Sequence, residues 1–281
     1  MALKREFRKE GHKVKLILPR EKLPQAREKD TILLGSSLYI PGNASRTSLS
    51  LNITPLSVWR KINKEKFDIL HFQNFGAFLP VQILEAASQL SKPPLKILTL
   101  HAFWDASFIL KELPSIPTII NIFQDYILPR FDGIIGVSKP VLAQIKYKGP
   151  QEVIPNGVDF NLFNPKGPKI KRFSNVQKET PGTRSKLKIL FVGRIEKRKG
   201  LSYLVRAFKT LKQRYKKIKL IIVGEGERED KIKNFINKNK IQDVFFEGTV
   251  GDTELIKYYR SADICCFPSI YGEAFGIVLL E

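Results

Sequence analysis

Residues 188–200 have the sequence Lys188-Ile189-Leu190-Phe191-Val192-Gly193-Arg194-Ile195-Glu196-Lys197-Arg198-Lys199-Gly200. The apolar run at its start has the length of a strand, and a basic loop bounded by glycines follows it. After Gly200 the apolar residues take helical spacing, at Leu201, Leu204, Val205, Phe208 and Leu211. Strand, loop and helix in this order predict one unit of a parallel α/β sheet.

The same alternation occurs through both halves of the chain. The predicted strands are Val14–Pro19, Ile69–Phe72, Ile97–Leu100, Gly133–Val137, Lys188–Val192, Leu220–Val223, Val244–Phe246 and Ile264–Phe267. The predicted helices are Leu3–Glu10, Pro80–Leu90, Leu201–Tyr215, Glu229–Asn239 and Thr253–Arg260. Strands separated by helices indicate an α/β protein with parallel sheets. The basic residues Arg206, Lys209, Lys212 and Arg214 are interpreted as a solvated helix face.

The segment from Pro165 to Lys188 interrupts this pattern. It is rich in Lys, Pro, Gly and Ser and contains a single acid, Glu179. We therefore predict a domain over residues 1–165, a basic linker over 166–187 and a second domain over 188–281. Because the first domain starts in the middle of a motif and the second stops after three or four strands, we expect a fragment of a longer two-domain protein.

The charge of the chain is unusual. It has 48 basic and 27 acidic residues in 281, a net charge of +21. This favours a polyanionic partner, and nucleic acid, an anionic membrane surface and phosphorylated substrates all fit. Lysine-rich composition of the source proteome, with solvated lysines on helix faces, is the alternative explanation.

Hydrophobic residues at 43% and charged residues at 27% are typical of globular proteins and argue against a disordered or disulfide-rich chain. The longest uncharged run, Ile69 to Leu84, is shorter than the ~20 residues of a membrane span. The charged N-terminus argues against a signal peptide, so we expect the cytoplasm. The adjacent Cys265 and Cys266 are interpreted as reduced packing residues, with no metal site.

Two loops of the second half contain candidate binding residues. Arg194 and Lys199 lie in a glycine-bounded loop that opens a helix, an arrangement suited to anions; the alternative is an ordinary basic loop. Glu273 lies in the loop after the last strand and Glu281 on the predicted helix beyond it, where carboxylates can accept hydrogen bonds from sugar hydroxyls. Gly276 permits close approach of a phosphate. The alternative here is a pair of surface glutamates.

The three histidines occupy different positions in the predicted fold. His101 directly follows a predicted buried strand, at the sheet edge where open α/β sheets bind ligands. His71 ends another strand and is a candidate for lining an acceptor cleft. A packing or capping role is the alternative for His101, and His12, after a helix stop, is interpreted as structural.

Several of these stretches resemble one family. The frames Gly-Arg-x4-Lys-Gly and Glu-x7-Glu around Phe275-Gly276-Ile277 are similar to the donor-site motifs of the retaining GT-B glycosyltransferases of family 4. Other stretches resemble the same family: Ile154–Asp159, Val223–Gly226 and Tyr259–Ile264. The resemblance covers nearly the whole chain. Residues 275–279 are particularly similar to bacterial phosphatidylinositol mannosyltransferases.

The resemblance implies a GT-B fold, with two Rossmann-like domains whose parallel sheets face a central cleft. It implies that the second domain holds a UDP- or GDP-linked sugar and the first an acceptor. Arg194 and Lys199 would bind the donor diphosphate with the backbone N–H groups of Gly276 and Ile277. Glu273 would bind the donor sugar and Glu281 the ribose.

The resemblance also implies a catalytic part for His101, which would hydrogen bond to the transferred hexose and polarise an oxocarbenium-like transition state. Glu273 is the second catalytic candidate. Fixed cations stabilise a leaving phosphate without a divalent ion, which agrees with the absence of an Asp-x-Asp pair, so neither metal nor cofactor is expected.

The acceptor is left open between a membrane lipid, such as a phosphatidylinositol-type glycolipid, and a soluble saccharide. The basic N-terminal residues Lys4, Arg5, Arg8, Lys9, Lys13 and Lys15 suit a peripheral position at the inner face of the plasma membrane. Family members have a first strand and Gly-rich loop before the start of this chain and further elements after Glu281. Two alternatives stay open: a noncatalytic truncated relative and a basic nucleic-acid-binding protein, although no nucleic acid is expected as a partner.

Overall fold

The computed structural model describes residues 2–20, 30–42, 45–51, 54–73, 78–103, 122–170 and 187–281. The chain divides into two compact units, Met1–Ile154 and Pro155–Glu281. Each unit has its own parallel sheet.

The first unit begins with helix α1 (Ala2–Lys9) and a three-stranded sheet. Strand β1 (Leu16–Arg20) pairs in parallel with β2 (Thr31–Gly42), which pairs antiparallel with β3 (Ser45–Leu51). Of these three strands, only β1 was predicted from the sequence, as one of the parallel strands; β2 and β3 were not predicted. The glycine and proline residues in β2 weaken the strand pattern, and for that reason the pair was missed.

The main sheet of the first unit has the order β4-β5-β6-β7 and is parallel throughout. Its strands are Ile69–Gln73, Leu95–Leu100, Gly133–Gly136 and Gln151–Val153, and the helices are α2 (Pro55–Glu65), α3 (Phe78–Ser88) and α4 (Lys139–Ala143). A π-type turn at Phe123–Ile127 and a 3-10 turn at Leu128–Arg130 precede β6. The first three of these strands confirm the prediction, and β7 was not predicted.

The second unit contains a parallel sheet of order β10-β9-β8-β11. Its elements are β8 (Leu187–Val192), α5 (Leu201–Arg214), β9 (Ile218–Val223), α6 (Glu229–Lys238), β10 (Val244–Phe246), α7 (Asp252–Ser261) and β11 (Ile264–Cys265). Leu190, Leu220 and Ile221 are fully buried at its centre. The predicted alternation is confirmed, with a shorter last strand.

The basic side chains of α5 are not all solvated, contrary to the sequence interpretation. The Arg206 guanidinium lies 5.7 Å from the ring centroid of Phe235 on α6. Lys209 Nζ donates to Asn239 Oδ1 at 2.8 Å. Lys212 Nζ donates to Asp243 Oδ2 at 2.6 Å and to two backbone carbonyls. These long side chains pack α5 against its neighbours because their apolar stems reach past the helix surface.

The segment before β8 packs on α7 of the second unit. Arg260 Nε donates to the carbonyl of Asn164 at 2.8 Å, and the backbone N–H of Ile170 donates to the buried Ser261 Oγ at 2.8 Å. The rings of Phe163 and Tyr259 meet edge to face. Most of the predicted linker, residues 171–186, lies outside the described residues.

Candidate functional site

The strand order of the second sheet creates a crevice beside β8. From β8 the chain adds β9 and β10 on one side and then returns to place β11 on the other side. At such a reversal the loops after the two adjacent strands diverge, and ligands of open α/β sheets bind there. The loop after β8, residues 193–200, and the loop after β11, residues 266–276, are therefore the candidate site.

Backbone contacts hold the two loops together. Gly200 has φ +70°, and a Cβ atom at this position would lie 1.9 Å from the carbonyl oxygen of Pro268. The N–H of Ile270 donates to the carbonyl of Arg198 at 2.8 Å. Glycine at position 200 is thus required both by the backbone angle and by the neighbouring loop.

Lys199 and Glu273 form an ion pair across the crevice. Lys199 Nζ donates to Glu273 Oε2 at 2.6 Å, and Ser269 Oγ donates to the same oxygen at 3.0 Å. Burial by itself would raise the pKa of Glu273. The hydrogen bond and charge of Lys199, together with Ser269 and the charge of Arg198, outweigh burial and lower this pKa. Glu273 is therefore an ionised acceptor at neutral pH.

The two arginines of the loop share one carboxylate. Glu196 is 7% exposed, and its Oε1 forms an ion pair with Arg194 Nη2 at 3.0 Å and accepts a hydrogen bond from Arg198 Nε at 3.1 Å. Arg198 Nη1 also donates to the carbonyl of Gly272 at 3.2 Å. Glu196, Arg198 and Gly272 were not singled out from the sequence, because the burial of Glu196 and the bond from Arg198 to Gly272, 74 residues away, arise only in the folded chain.

The loop after β11 ends in a short turn. Gly276 has φ +75° and precedes a 3-10 turn at Ile277–Leu279, where the sequence analysis expected an α-helix carrying Glu281. The bond from Leu279 N–H to Gly276 C=O closes the tighter turn. Glu281 Oε2 accepts from Tyr259 Oη at 2.7 Å. Burial and the Glu281 carboxylate strongly raise the pKa of Tyr259, so its hydroxyl keeps its proton and orients Glu281.

The first unit brings four polar side chains together at the carboxyl ends of β4 and β5. Gln73 is the register partner of Thr99, so His71, Gln73, Thr99 and His101 lie on one face. His71 Nε2 lies 2.7 Å from Thr99 Oγ1 and 3.0 Å from Gln73 Nε2. His101 Nε2 lies 2.7 Å from Gln73 Oε1. Gln73 and Thr99 were missed, although two-residue spacing from the histidines places them on the same face.

The amide of Gln73 faces both rings, and its placement implies a tautomer for each. An amide nitrogen only donates, so His71 Nε2 is its acceptor, which places the His71 proton on Nδ1 and requires the Thr99 hydroxyl also to donate to Nε2. An amide oxygen only accepts, so His101 Nε2 is its donor. Burial, and less strongly the proximity of His101, lower the pKa of His71 and favour its neutral form.

The remaining candidates from the sequence have simpler surroundings. The ring of His12 lies edge to face with Phe7, with centroids 6.0 Å apart. Cys266 packs against the core of the second unit, whereas Cys265 is exposed. Within the described parts of the chain, no group of three or more His, Cys, Asp or Glu side chains is arranged to hold a metal ion.

Comparison with known families covers both units. Residues 1–162 match the profile described as Glycosyltransferase Family 4, and residues 171–281 match the profile described as Glycosyl transferases group 1. The chain belongs to glycosyltransferase family 4. The loops after β8 and β11 fall inside the second match, and both histidines of the polar cluster fall inside the first.

Curated relatives of this family 4 chain include mannosyltransferases. Phosphatidyl-myo-inositol mannosyltransferase of Mycolicibacterium smegmatis is 29% identical over 98% of this chain and 66% of its own length. The corresponding protein of Mycobacterium leprae is 28% identical, with 98% and 68% covered. The chain thus spans about two thirds of the length of these relatives. D-inositol 3-phosphate glycosyltransferase of Pseudarthrobacter chlorophenolicus is 35% identical over 46% of this chain and 31% of its own length.

Solved structures show the fold. A glycosyltransferase from Rickettsia africae superposes with a TM-score of 0.60 at 21% identity, covering 80% of this chain and 57% of that one. TarM superposes with a TM-score of 0.54 at 16% identity, covering 83% and 43%. The predicted GT-B fold of this family 4 chain is confirmed.

The structure groups the predicted site residues by unit. Arg194, Lys199, Glu273, Gly276, Ile277 and Glu281 all follow β8 or β11 in the second unit. Lys199 meets Glu273 directly, whereas Arg194 contacts Glu196 and Glu281 contacts Tyr259. His71 and His101 are joined through Gln73 in the first unit.

Proposed function

We propose that this protein is a retaining glycosyltransferase that moves a hexose from a nucleotide-sugar to an acceptor hydroxyl. The observation that carries the proposal is the ion pair of Lys199 and Glu273, beside Arg194 and Arg198, in the crevice between β8 and β11 of a family 4 chain. Cations and a carboxylate side by side suit a diphosphate joined to a sugar.

The cations would stabilise the leaving group. As the bond between sugar and phosphate breaks, negative charge collects on the β-phosphate, and prearranged positive groups lower the energy of that state. Arg194 and Lys199 supply such groups, and Arg can bind phosphate oxygens in a bidentate manner. The backbone N–H groups of Gly276 and Ile277 are proposed as further donors. We propose that no metal takes part.

Glu273 is proposed to change partner when the donor binds. In the structure it accepts from Lys199, and diphosphate oxygens would compete for that ammonium group. The carboxylate, still held by Ser269, would then accept hydrogen bonds from the hydroxyls of the donor sugar. Glu281, oriented by Tyr259, is proposed to accept from the ribose hydroxyls.

His101 is proposed to hydrogen bond to the transferred hexose and to polarise the oxocarbenium-like transition state. Support comes from its place at the carboxyl end of β5 and from the fixed position of its ring, held by Gln73. His71 is proposed to line the acceptor side of the same cluster.

A phosphatidylinositol-type lipid is the proposed acceptor, because the relatives that match 98% of this chain are phosphatidyl-myo-inositol mannosyltransferases. Helix α1 exposes Leu3 and Phe7 and would contact an anionic membrane. Its basic neighbours contribute less than the sequence suggests, since Arg8 pairs with Asp30 and Lys15 pairs with Glu65. None of the helices in the residues that the structure describes is long and apolar enough to span a bilayer.

The donor proposal is tested by saturation-transfer NMR of UDP, GDP and their glucose and mannose conjugates with the full chain. We expect ribose and sugar protons of one nucleotide to be saturated, and Lys199→Ala, Arg194→Ala and Glu281→Ala to weaken the effect. Lys217→Ala is the matched control. This exposed lysine precedes β9 and so lies at the amino ends of the parallel strands, whereas the loops of the candidate site follow their carboxyl ends.

Two results would contradict the proposal. A folded chain that saturates none of these ligands would exclude the donor site. Binding of RNA or DNA that depends steeply on salt and is unaffected by nucleotide-sugar would instead favour a nucleic-acid-binding protein.

A further inference from the structure

We propose that Glu196 is a positioning residue of the donor diphosphate site: its buried carboxylate holds Arg194 and Arg198 in place and, through Arg198, holds the loop that presents Gly276 and Ile277. This inference rests on the proposed function. It adds Glu196, a negatively charged residue, to a site whose proposed ligand is also negatively charged.

The carboxylate of Glu196 is buried. Glu196 is 7% exposed and belongs to a loop whose neighbouring residue, Ile195, is fully buried. A carboxylate is rarely buried without partners, because the loss of hydration must be offset by charges and hydrogen bonds. Glu196 Oε1 forms an ion pair with Arg194 Nη2 and accepts a hydrogen bond from Arg198 Nε, and these two contacts supply that compensation.

Arg198 links the loop after β8 to the loop after β11. Arg198 donates from Nε to Glu196 and from Nη1 to the carbonyl of Gly272. A second bond runs from the N–H of Ile270 to the carbonyl of Arg198. Only a guanidinium has donors in a planar fork that can bridge a carboxylate and a carbonyl in this way, so Lys at this position would not replace it.

The negative charge of Glu196 distinguishes a positioning role from a direct electrostatic one. If Glu196 acted on a bound diphosphate only through its charge, it would repel the ligand, and removal of the charge would strengthen binding. If Glu196 acts by positioning, removal of its oxygen lets both arginines and the Gly272 loop move, and binding weakens. The two explanations therefore predict effects of opposite sign on affinity.

The experiment measures the dissociation constants of GDP, UDP and pyrophosphate by isothermal titration calorimetry with the full chain. We expect Glu196→Leu to weaken binding about tenfold, since a hydrogen bond to a charged group contributes an amount of that order. Glu196→Gln keeps the acceptor oxygen and should weaken binding by a smaller factor. Glu254→Gln is the charge-matched control, because this exposed residue on α7 follows β10, two strands away from β8.

Structural collapse is distinguished from positioning by three further readouts. Circular dichroism melting identifies a variant that does not fold. If Glu196→Leu does not fold, the affinity of Glu196→Gln is compared with that of the unaltered chain instead. In Arg198→Lys, which lacks the planar fork, the additional replacement of Glu196 by Leu should have a smaller effect than in the unaltered chain. The amide NMR signals of Gly272 to Ile277 should shift in Glu196→Leu and not in Glu254→Gln.

The outcomes separate this inference from the proposed function. Equal or tighter binding by Glu196→Leu, with the unaltered chain binding nucleotide, would overturn the positioning role and leave the donor site intact. Binding of pyrophosphate but neither nucleotide would contradict the nucleotide-sugar donor, and the Glu196 variants would then be judged with pyrophosphate. A folded chain that binds none of the three would overturn both.

Discussion

At the scale of single residues, the ionisation of Glu273 depends on a balance between burial and its donors. Burial raises its pKa, while Lys199, Ser269 and Arg198 lower it, and the donors dominate. Because the folded pKa lies below the unfolded one, the ion pair stabilises the protein at neutral pH. That contribution is lost as the pH falls through the lowered pKa.

We therefore expect Lys199→Met to raise the pKa of Glu273, since burial then acts against weaker donors. Ser269→Ala, which removes one neutral donor, should raise it less. The measurement is a titration of the Glu273 carboxyl carbon by NMR in the three proteins. An unchanged pKa in Lys199→Met would contradict the ion pair.

Gln73 provides a second prediction at this scale. We expect NMR of 15N-labelled histidines to show His71 protonated on Nδ1 and His101 on Nε2, with a pKa of His71 below the ordinary value. The stability that neutral His71 contributes is complete above its unfolded pKa of about 6.5 and is lost as the pH falls towards the lowered folded pKa.

Replacement of the amide tests the bridge. Gln73→Glu places a carboxylate between the two rings and should raise the pKa of both histidines, because it favours their charged forms. Gln73→Met removes both hydrogen bonds and should allow mixed tautomers on His101. Identical ring-nitrogen shifts in Gln73→Met and the unaltered chain would exclude the proposed orientation.

At the scale of elements, the loops after β8 and β11 approach so closely at Gly200 that a side chain at this position is not accommodated. Gly200→Ala should destabilise the second unit by about 3 kcal/mol or more, because it combines a positive φ with a clash against the Pro268 carbonyl. Gly272→Ala is the matched control: its φ is +68°, but the nearest atom to the added Cβ is 3.7 Å away. We expect about 1 kcal/mol there.

Native-state hydrogen exchange of the amides of Leu220 and Ile221 measures this effect on the second unit alone, since both residues lie in the central strand β9. Similar exchange rates in the Gly200 and Gly272 variants would show that the clash with Pro268 is relieved without cost.

The packing of α5 through its basic residues gives another prediction at this scale. Lys212→Met should destabilise the second unit by about 1–3 kcal/mol, because it leaves Asp243 and two carbonyls without their shared ammonium donor. Lys217→Met, at an exposed lysine nearby, should change stability by less than about 0.5 kcal/mol. The same hydrogen-exchange measurement compares them, and equal effects would contradict the packing role of Lys212.

At the scale of the whole molecule, the net charge of +21 predicts a preference for anionic membranes. We expect the chain to sediment with vesicles that contain phosphatidylinositol and not with pure phosphatidylcholine, and binding to fall as salt rises, since each basic residue near the surface contributes only about 1 kcal/mol. Leu3→Ser with Phe7→Ser should weaken binding without changing charge. Binding that is independent of lipid charge would contradict this prediction.

Much of the fold was predictable because its signals are local. Apolar runs of strand length, helical spacing from Leu201 to Leu211 and glycine-bounded loops indicated seven of the strands of the two main sheets within a few residues. Strands β2, β3 and β7 were missed, since they are short or carry glycine, proline and serine. The residues of the candidate site were found from motifs, and most of their partners were not.

The sequence by itself determined seven strands of the two main sheets, the family and the chemical types at the carboxyl ends of the strands, because each depends on neighbouring residues. Only the tertiary structure decided which groups meet. Lys199 reaches Glu273 across 74 residues because β11 lies next to β8, and Gln73 reaches both histidines because β4 and β5 are in register. Such contacts depend on strand order and register, which long-range packing selects and no local pattern encodes.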